Sequence, residues 1–200
     1  MSEVAPLAGA LPRQVVGERL ALVLWRADMI EEVRALVARS QPTLSAFLPW
    51  ATEVPSVQEE AAAQVTTEQR WREGRMAGWM VLEDAVIRGM VGLHRRGGPD
   101  ELEIGYWLDD AATGRGLMTA ACTMATDVAF SVEGIDAVEI IHDRANARSG
   151  GVPARLGYRR VAAFTAAAAA RCETGVKVRW TMRRGEWLAR GQPSSILSMQ

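Results

Sequence analysis

The stretch DDAATGRGLMTAA, residues 109–121, sets Gly114 and Gly116 on either side of Arg115, where a strand-like run gives way to a helix-like one. Bare backbone N–H groups at a helix N-terminus attract anions, so a glycine turn at such a junction is suited to holding a phosphate. A nucleoside triphosphate, a dinucleotide and coenzyme A are all open at this point. The triphosphate loop, GxxxxGK before serine or threonine, needs a lysine for the terminal phosphates. GRGLMT has none, and Lys177, the only lysine of the chain, lies far downstream. The dinucleotide fingerprint GxGxxG finds Gly114 and Gly116 but Thr119 where the last glycine should stand, and that glycine permits close helix–strand packing. The spacer DDAAT also separates strand from turn, whereas a dinucleotide turn follows its strand tightly. Coenzyme A remains.

The elements that must position this turn follow from periodicity. RLALVLW (19–25) reads as a strand. ADMIEEVRALVARS (27–40) carries Met29, Ile30, Val33, Leu36 and Val37 at helical spacing. A proline-rich loop over 41–55 precedes a second helix, opened by the capping pair Ser56 and Glu59 and running to about Arg72. MAGWMVLE (76–83) and IRGMVGLHR (87–95) predict an antiparallel hairpin, and LEIGYWL (102–108) the next strand. A helix is expected over 116–130, a strand over 137–141 and a shorter helix over 147–156. A closing strand pair is expected over 157–164 and 176–184, and the alanine-rich stretch between them is assigned neither helix nor loop. Residues 1–13 and 189–200 are expected as tails flanking a single domain over 14–188. Antiparallel strands with one central β-α-β unit mark a mixed α/β sheet protein rather than a long β/α alternation.

Composition narrows the classes. The 200 residues carry a net charge of −1, which argues against a general nucleic-acid binder. No apolar run approaches a membrane span, and the N-terminus lacks a signal-peptide pattern, so a cytoplasmic protein with no membrane or nucleic-acid partner is expected. Cys122 and Cys172 form neither a disulfide framework nor a metal motif; no metal is expected.

EIGYWLDDAATGRGLMTAA followed by IIHDRANARSGGVPARLGYRR resembles the GCN5-related N-acetyltransferases, and more narrowly their ribosomal-protein N-terminal acetyltransferase (RimJ/RimL) branch. The resemblance runs from Arg19 to Trp187. It implies a GNAT fold: a mostly antiparallel sheet, splayed at the fourth strand and flanked by helices. It also implies acetyl-CoA, or another acyl-CoA, as co-substrate. The family's pyrophosphate signature has glutamine or arginine, two residues, glycine, one residue, then a small residue. Here Thr113, Gly116 and Met118 take those places. Thr113 departs from the pattern; Arg115 is expected to restore the charge, and backbone amides from Gly114 through Leu117 and Met118 to Thr119 still supply donors. Tyr106, Trp107 and Leu108 would expose strand backbone to the pantetheine arm, the strand-addition mode of recognition, and Asn146 would bond the same arm.

Transfer of an acyl group to an amine needs a neutral amine, a stabilised oxyanion and a partner for the leaving thiolate. Glu103 shares a strand face with Gly105 and Trp107, and the resemblance casts it as the base and Ser149 as donor to the sulfur. The branch's second glutamate falls near Ala168, with Glu173 the nearest carboxylate. His94 and His142 are expected to be structural. The acceptor slot is expected from the 41–56 loop and the 166–175 stretch, with Phe47, Trp50, Trp71 and Trp79 as candidate walls. The reading is an N-acetyltransferase acting on a protein N-terminus or a small amine, as a homodimer by resemblance; the alternative is a module that holds acyl-CoA without transferring it.

Overall fold

Side chains that alternate between the two faces of the sheet pack against the first two α-helices on one side and against the third on the other. The computed structural model describes residues 11–96, 98–191 and 196–199. Strands β1 (Gln14–Gly17) and β2 (Ala21–Leu24) lead into helices α1 (Ile30–Leu44) and α2 (Val57–Arg72). Strands β3 (Met76–Glu83), β4 (Val86–His94) and β5 (Glu101–Leu108) follow, then α3 (Leu117–Ser131), β6 (Ala137–Asp143) and α4 (Ala147–Arg155). The chain closes with β7 (Arg159–Thr165), β8 (Val176–Arg183), α5 (Arg184–Leu188) and β9 (Ile196–Met199).

Local chemistry sets several boundaries. Ser56 accepts the Glu59 amide while the Glu59 carboxylate accepts the Ser56 amide, the reciprocal cap that opens α2. Asp84 and Ala85 take positive φ at the β3–β4 turn, the two-residue geometry whose twist matches its strands. Helix α1 runs past its expected end through Pro42, because a missing N–H in the last turn forfeits only one bond there.

The sheet order is β7-β8-β6-β5-β4-β3-β2-β1-β9. All pairs are antiparallel except β5–β6, the mixed α/β arrangement expected. Val33, Leu36 and Val37 of α1 pack with Met80 and Ile87 on one face. Met124, Ala125 and Val128 of α3 pack with Val81, Val91 and Ile104 on the other.

The ends differ from the expectation of loose tails. Residues 1–10 of the N-terminal tail lie outside the described residues. Leu11 is buried, and the Leu11 and Pro12 carbonyls accept from the indole N–H groups of Trp71 and Trp79. Arg13 stacks over the Trp71 ring. Near the other terminus, β9 pairs along β1, which gives the outer backbone of β1 a hydrogen-bonding partner.

Candidate active site

The β5–β6 ladder pairs Glu101 with Ala137, Leu102 with Val138 and Glu103 with Glu139, then stops. From Ile104 to Leu108, β5 keeps its ladder with β4 but has none with β6. This is the splay expected at the fourth strand of the sequence reading, now β5 because the short β1 went unassigned. Tyr106 spans the opening. Its hydroxyl donates to the Ser149 carbonyl at 2.8 Å and accepts from Ser149 Oγ at 3.0 Å. Burial pushes the Tyr106 phenol far above its usual range, so it stays protonated. Asn146 caps α4 by accepting the Ser149 amide at 3.1 Å. Asn146, Ser149 and Tyr106 therefore form one cluster at the mouth of the splay.

The glycine turn lies beside it. Gly114 and Gly116 have φ of +75° and +79°, values that favour residues without a Cβ. The Ala120 amide bonds the Gly116 carbonyl as the first turn of α3 closes, leaving the amides of Leu117, Met118 and Thr119 without intrahelical partners. These residues, with Thr113, Gly114 and Gly116, line a cavity of about 830 Å³ that also takes in Tyr106, Trp107, Leu108, Asn146 and Ser149. The size, the free amides and the open strand edge fit a pyrophosphate with an amide-bearing arm.

Two side chains of the turn do otherwise than expected. Arg115 points away: its guanidinium bonds Glu83 of β3 at 2.7 Å, because that buried carboxylate lies within reach and attracts the nearest cation. Arg115 is therefore not among the residues that line the cavity, where the sequence reading expected its charge. Thr113 donates its hydroxyl back to the Asp110 carbonyl. The cations on this cavity are Arg148 and Arg155 of α4, and Arg155 Nε donates to Thr119 Oγ1 at 3.1 Å. Sequence reasoning missed both. Their seven-residue spacing in NARSGGVPAR, which repeats a helix face, was the available signal.

A second cavity, about 750 Å³, opens on the α1–α2 face. Trp25, Met80, Met90 and Trp107 give it apolar walls, and Glu60, His94 and Arg96 polar ones. Leu48, Tyr106 and Trp107 line both cavities, which therefore meet at the splay.

Glu103 lies on the sheet opposite His94 of β4 and Glu139 of β6. Burial raises its pKa, with Glu139 acting in the same sense and Arg96 opposing; Arg96 bonds its carboxylate at 3.0 Å. Arg96 lines the second cavity, whereas Glu103 does not. The expected base thus sits behind an arginine. His94 does line the cavity, and burial together with Arg96 and Arg70 lowers its pKa to about 4. His142 is held as the neutral ring: Trp180 Nε1 donates to its Nε2, and its Nδ1 bonds the Asp143 carbonyl.

Of the expected acceptor walls, Trp50 lines the second cavity and Phe47 the first. Trp71 and Trp79 line neither, because their indoles hold the N-terminal segment. The 166–175 stretch is a loop that packs on the end of α1, with the Cys172 amide on the Ala46 carbonyl and Arg171 on the Pro42 carbonyl. Asp143 holds its far end through Thr174 and Gly175. Glu173 accepts the amides of Ala169 and Ala170 and pairs with Lys177, so its carboxylate is spent inside the loop.

Residues 19–159 match the family model described as Acetyltransferase (GNAT) domain. A protein of Bacillus subtilis (strain 168), YdaF, provisionally named a ribosomal N-acetyltransferase, is 28% identical over 146 residues, 72% of this chain and 79% of its own. Among solved structures, RimL, a ribosomal L7/L12 alpha-N-protein acetyltransferase in complex with coenzyme A, superposes with a TM-score of 0.77 at 16% identity. That match covers 90% of this chain and 98% of the other. The microcin C7 self-immunity acetyltransferase MccE, in complex with acetyl-CoA and AMP, gives 0.79 at 15% identity over 90% and 99% of the two chains. At these identities the two structures speak for the fold.

Proposed function

The chain belongs to the GNAT acetyltransferase family and is an acyl-CoA-dependent N-acetyltransferase; on that premise we propose that it acetylates the α-amine of a protein N-terminus by direct attack in a ternary complex. The observation that carries this is the meeting of two cavities at the splay, with Leu48, Tyr106 and Trp107 as their common wall. A thioester held from one side and an amine entering from the other come together there without crossing the sheet.

Each part of the site has a role in this reading. The amides of Leu117, Met118 and Thr119 take the pyrophosphate at the positive end of α3, with Arg148 and Arg155 beside them. The free edge of Tyr106–Leu108 pairs with the pantetheine amides. Tyr106 fixes Ser149, whose hydroxyl can rotate its hydrogen toward the departing sulfur. Glu103 draws the proton from the amine side through solvent or with movement of Arg96. A base so constrained favours an α-amine, with a pKa of about 7.7–8.0, over a lysine near 10.4. The ribosomal names of YdaF and RimL support a protein acceptor. The exposed edge strand β7, with Val161 and Phe164 uncovered, supports a homodimer, and an acetyl-CoA co-substrate supports a cytoplasmic setting.

Acetyl-CoA is incubated with the protein and a panel of peptides with free α-amines, α-blocked peptides carrying lysine, and small amines. The expected result is thiol release together with acetyl gain on free α-amines. Acetylation confined to lysine or small amines overturns the acceptor, and binding of acetyl-CoA with no transfer to any amine leaves the binding module. Melting provides a check on the coenzyme: saturation at about a hundred times Kd adds about 2.7 kcal/mol. For a chain of this size, that is roughly a 5–10 °C rise, expected with acetyl-CoA and absent with NADH.

A further inference from the structure

The second cavity contains a carboxylate with no partner. Glu60 lies in the first turns of α2 and is 5% exposed, yet its side chain makes no hydrogen bond or ion pair among the described residues. Its neighbours on α2 are otherwise engaged. Glu59 is consumed by the cap on Ser56. Gln64, one turn further on, donates to the Trp25 carbonyl and to Glu68. Arg34 of α1 is near enough to ease the charge on Glu60, but its nearest ion-pair partner is Glu31, at 3.6 Å. The Glu60 carboxylate oxygens keep contact with solvent through the cavity, but among the described residues no cation neutralises them, and a charge so largely buried gains from a partner.

The cavity supplies a reason. Glu60 stands in its wall together with the apolar surfaces of Trp25, Met80, Met90 and Trp107; of the other charged groups there, Arg96 is paired with Glu103, Glu59 is held at Ser56, and the exposed Glu53 adds to the negative charge. A carboxylate set in an aromatic and thioether surface matches a ligand that is a cation with an apolar body. We infer that Glu60 is the specificity-determining residue of the acceptor cavity, pairing with a positive charge on an acceptor whose apolar substituent packs against Trp25, Met80 and Trp107. This deepens the acetyltransfer reading and rests on it for the word acceptor; the preference for a cation stands on the cavity alone. The raised pKa of Glu60, caused by burial, agrees with a site completed only when a cation arrives.

The test uses 2-phenylethylamine, a cation with an apolar body, and 2-phenylethanol, its neutral counterpart. Both are titrated against the full-length protein and its Glu60→Gln and Glu60→Asp variants by calorimetry. Wild type is expected to prefer the amine by about tenfold or more, a typical value for one charged contact. Glu60→Gln should bind the two equally and melt no lower than wild type, since a desolvated charge has gone; Glu60→Asp should keep part of the preference. In acetyl transfer to a free α-amine peptide that also carries an arginine, whose charge survives deprotonation of the reacting amine, Glu60→Gln should raise the acceptor KM by about tenfold or more, with kcat and the acetyl-CoA KM nearly unchanged. A wild type that does not prefer the amine, or a Glu60→Gln variant that keeps the preference, overturns the inference. If wild type selects the amine through Glu60 but acetylates nothing, the proposed function fails and the cation site stands.

Discussion

His94 stays neutral in its cavity wall because burial, with Arg96 and Arg70 adding to it, lowers its pKa from 6.5 to about 4. The unfolded chain takes up that proton more readily. The stability His94 contributes is therefore fully present above about pH 6.5 and is lost as pH falls toward about 4, a loss of roughly 3 kcal/mol. Melting temperature measured against pH should fall in this window for wild type and fall less for His94→Gln. At the same scale, Arg115 shows what a motif can hide. Its place between two glycines suggests a phosphate ligand, but Glu83 lies 32 positions away in sequence and 2.7 Å away in space. Glu60 shows the converse: no motif marks it, and only its lack of a partner in a lined cavity makes it conspicuous.

The elements were legible wherever a run was long enough to show its period. Helix α3, the β3–β4 hairpin and the capped α2 lie within a few residues of their expected bounds, because burial on one face imposes the pattern on the sequence. The four-residue strands β1 and β9 lack the long apolar run that marks the equally short β2, and their pairing partners define them. The alanine-rich run was unreadable for another reason: its shape comes from Asp143 and Glu173 accepting its amides, and alanine itself specifies nothing there. The glycine turn belongs to this scale too. A Cβ at Gly116 would meet nothing within 4 Å, so Gly116→Ala should cost only backbone strain, roughly 1–2 kcal/mol. A few degrees' loss in melting temperature and weaker acetyl-CoA binding by calorimetry are the expected outcomes. Unchanged affinity would show that the cradle tolerates a shifted turn.

In the molecule as a whole, helices cover both faces of one sheet, and the splay is the place where the two faces communicate. The far edge of that sheet does a different job. Among the described residues β9 pairs only with β1, with β2, β3 and β4 between that pair and the splayed β5. A chain ended after Gly191 should therefore melt lower than wild type while binding acetyl-CoA with the same affinity; a matching loss of affinity would mean that the edge supports the site. By itself the sequence determined the order of elements from β2 to β8, the glycine turn at the start of α3, and the chemistry of a coenzyme with a pyrophosphate. Those depend on local periodicity, backbone conformation and residue type, which neighbours in the chain record. Tertiary structure alone decided that Arg115 serves Glu83, that Arg148 and Arg155 flank the phosphate turn, that Glu103 sits behind Arg96, and that Glu60 is left unpaired. Those depend on which charges meet across the sheet, and charges that meet in space leave no fixed spacing in sequence.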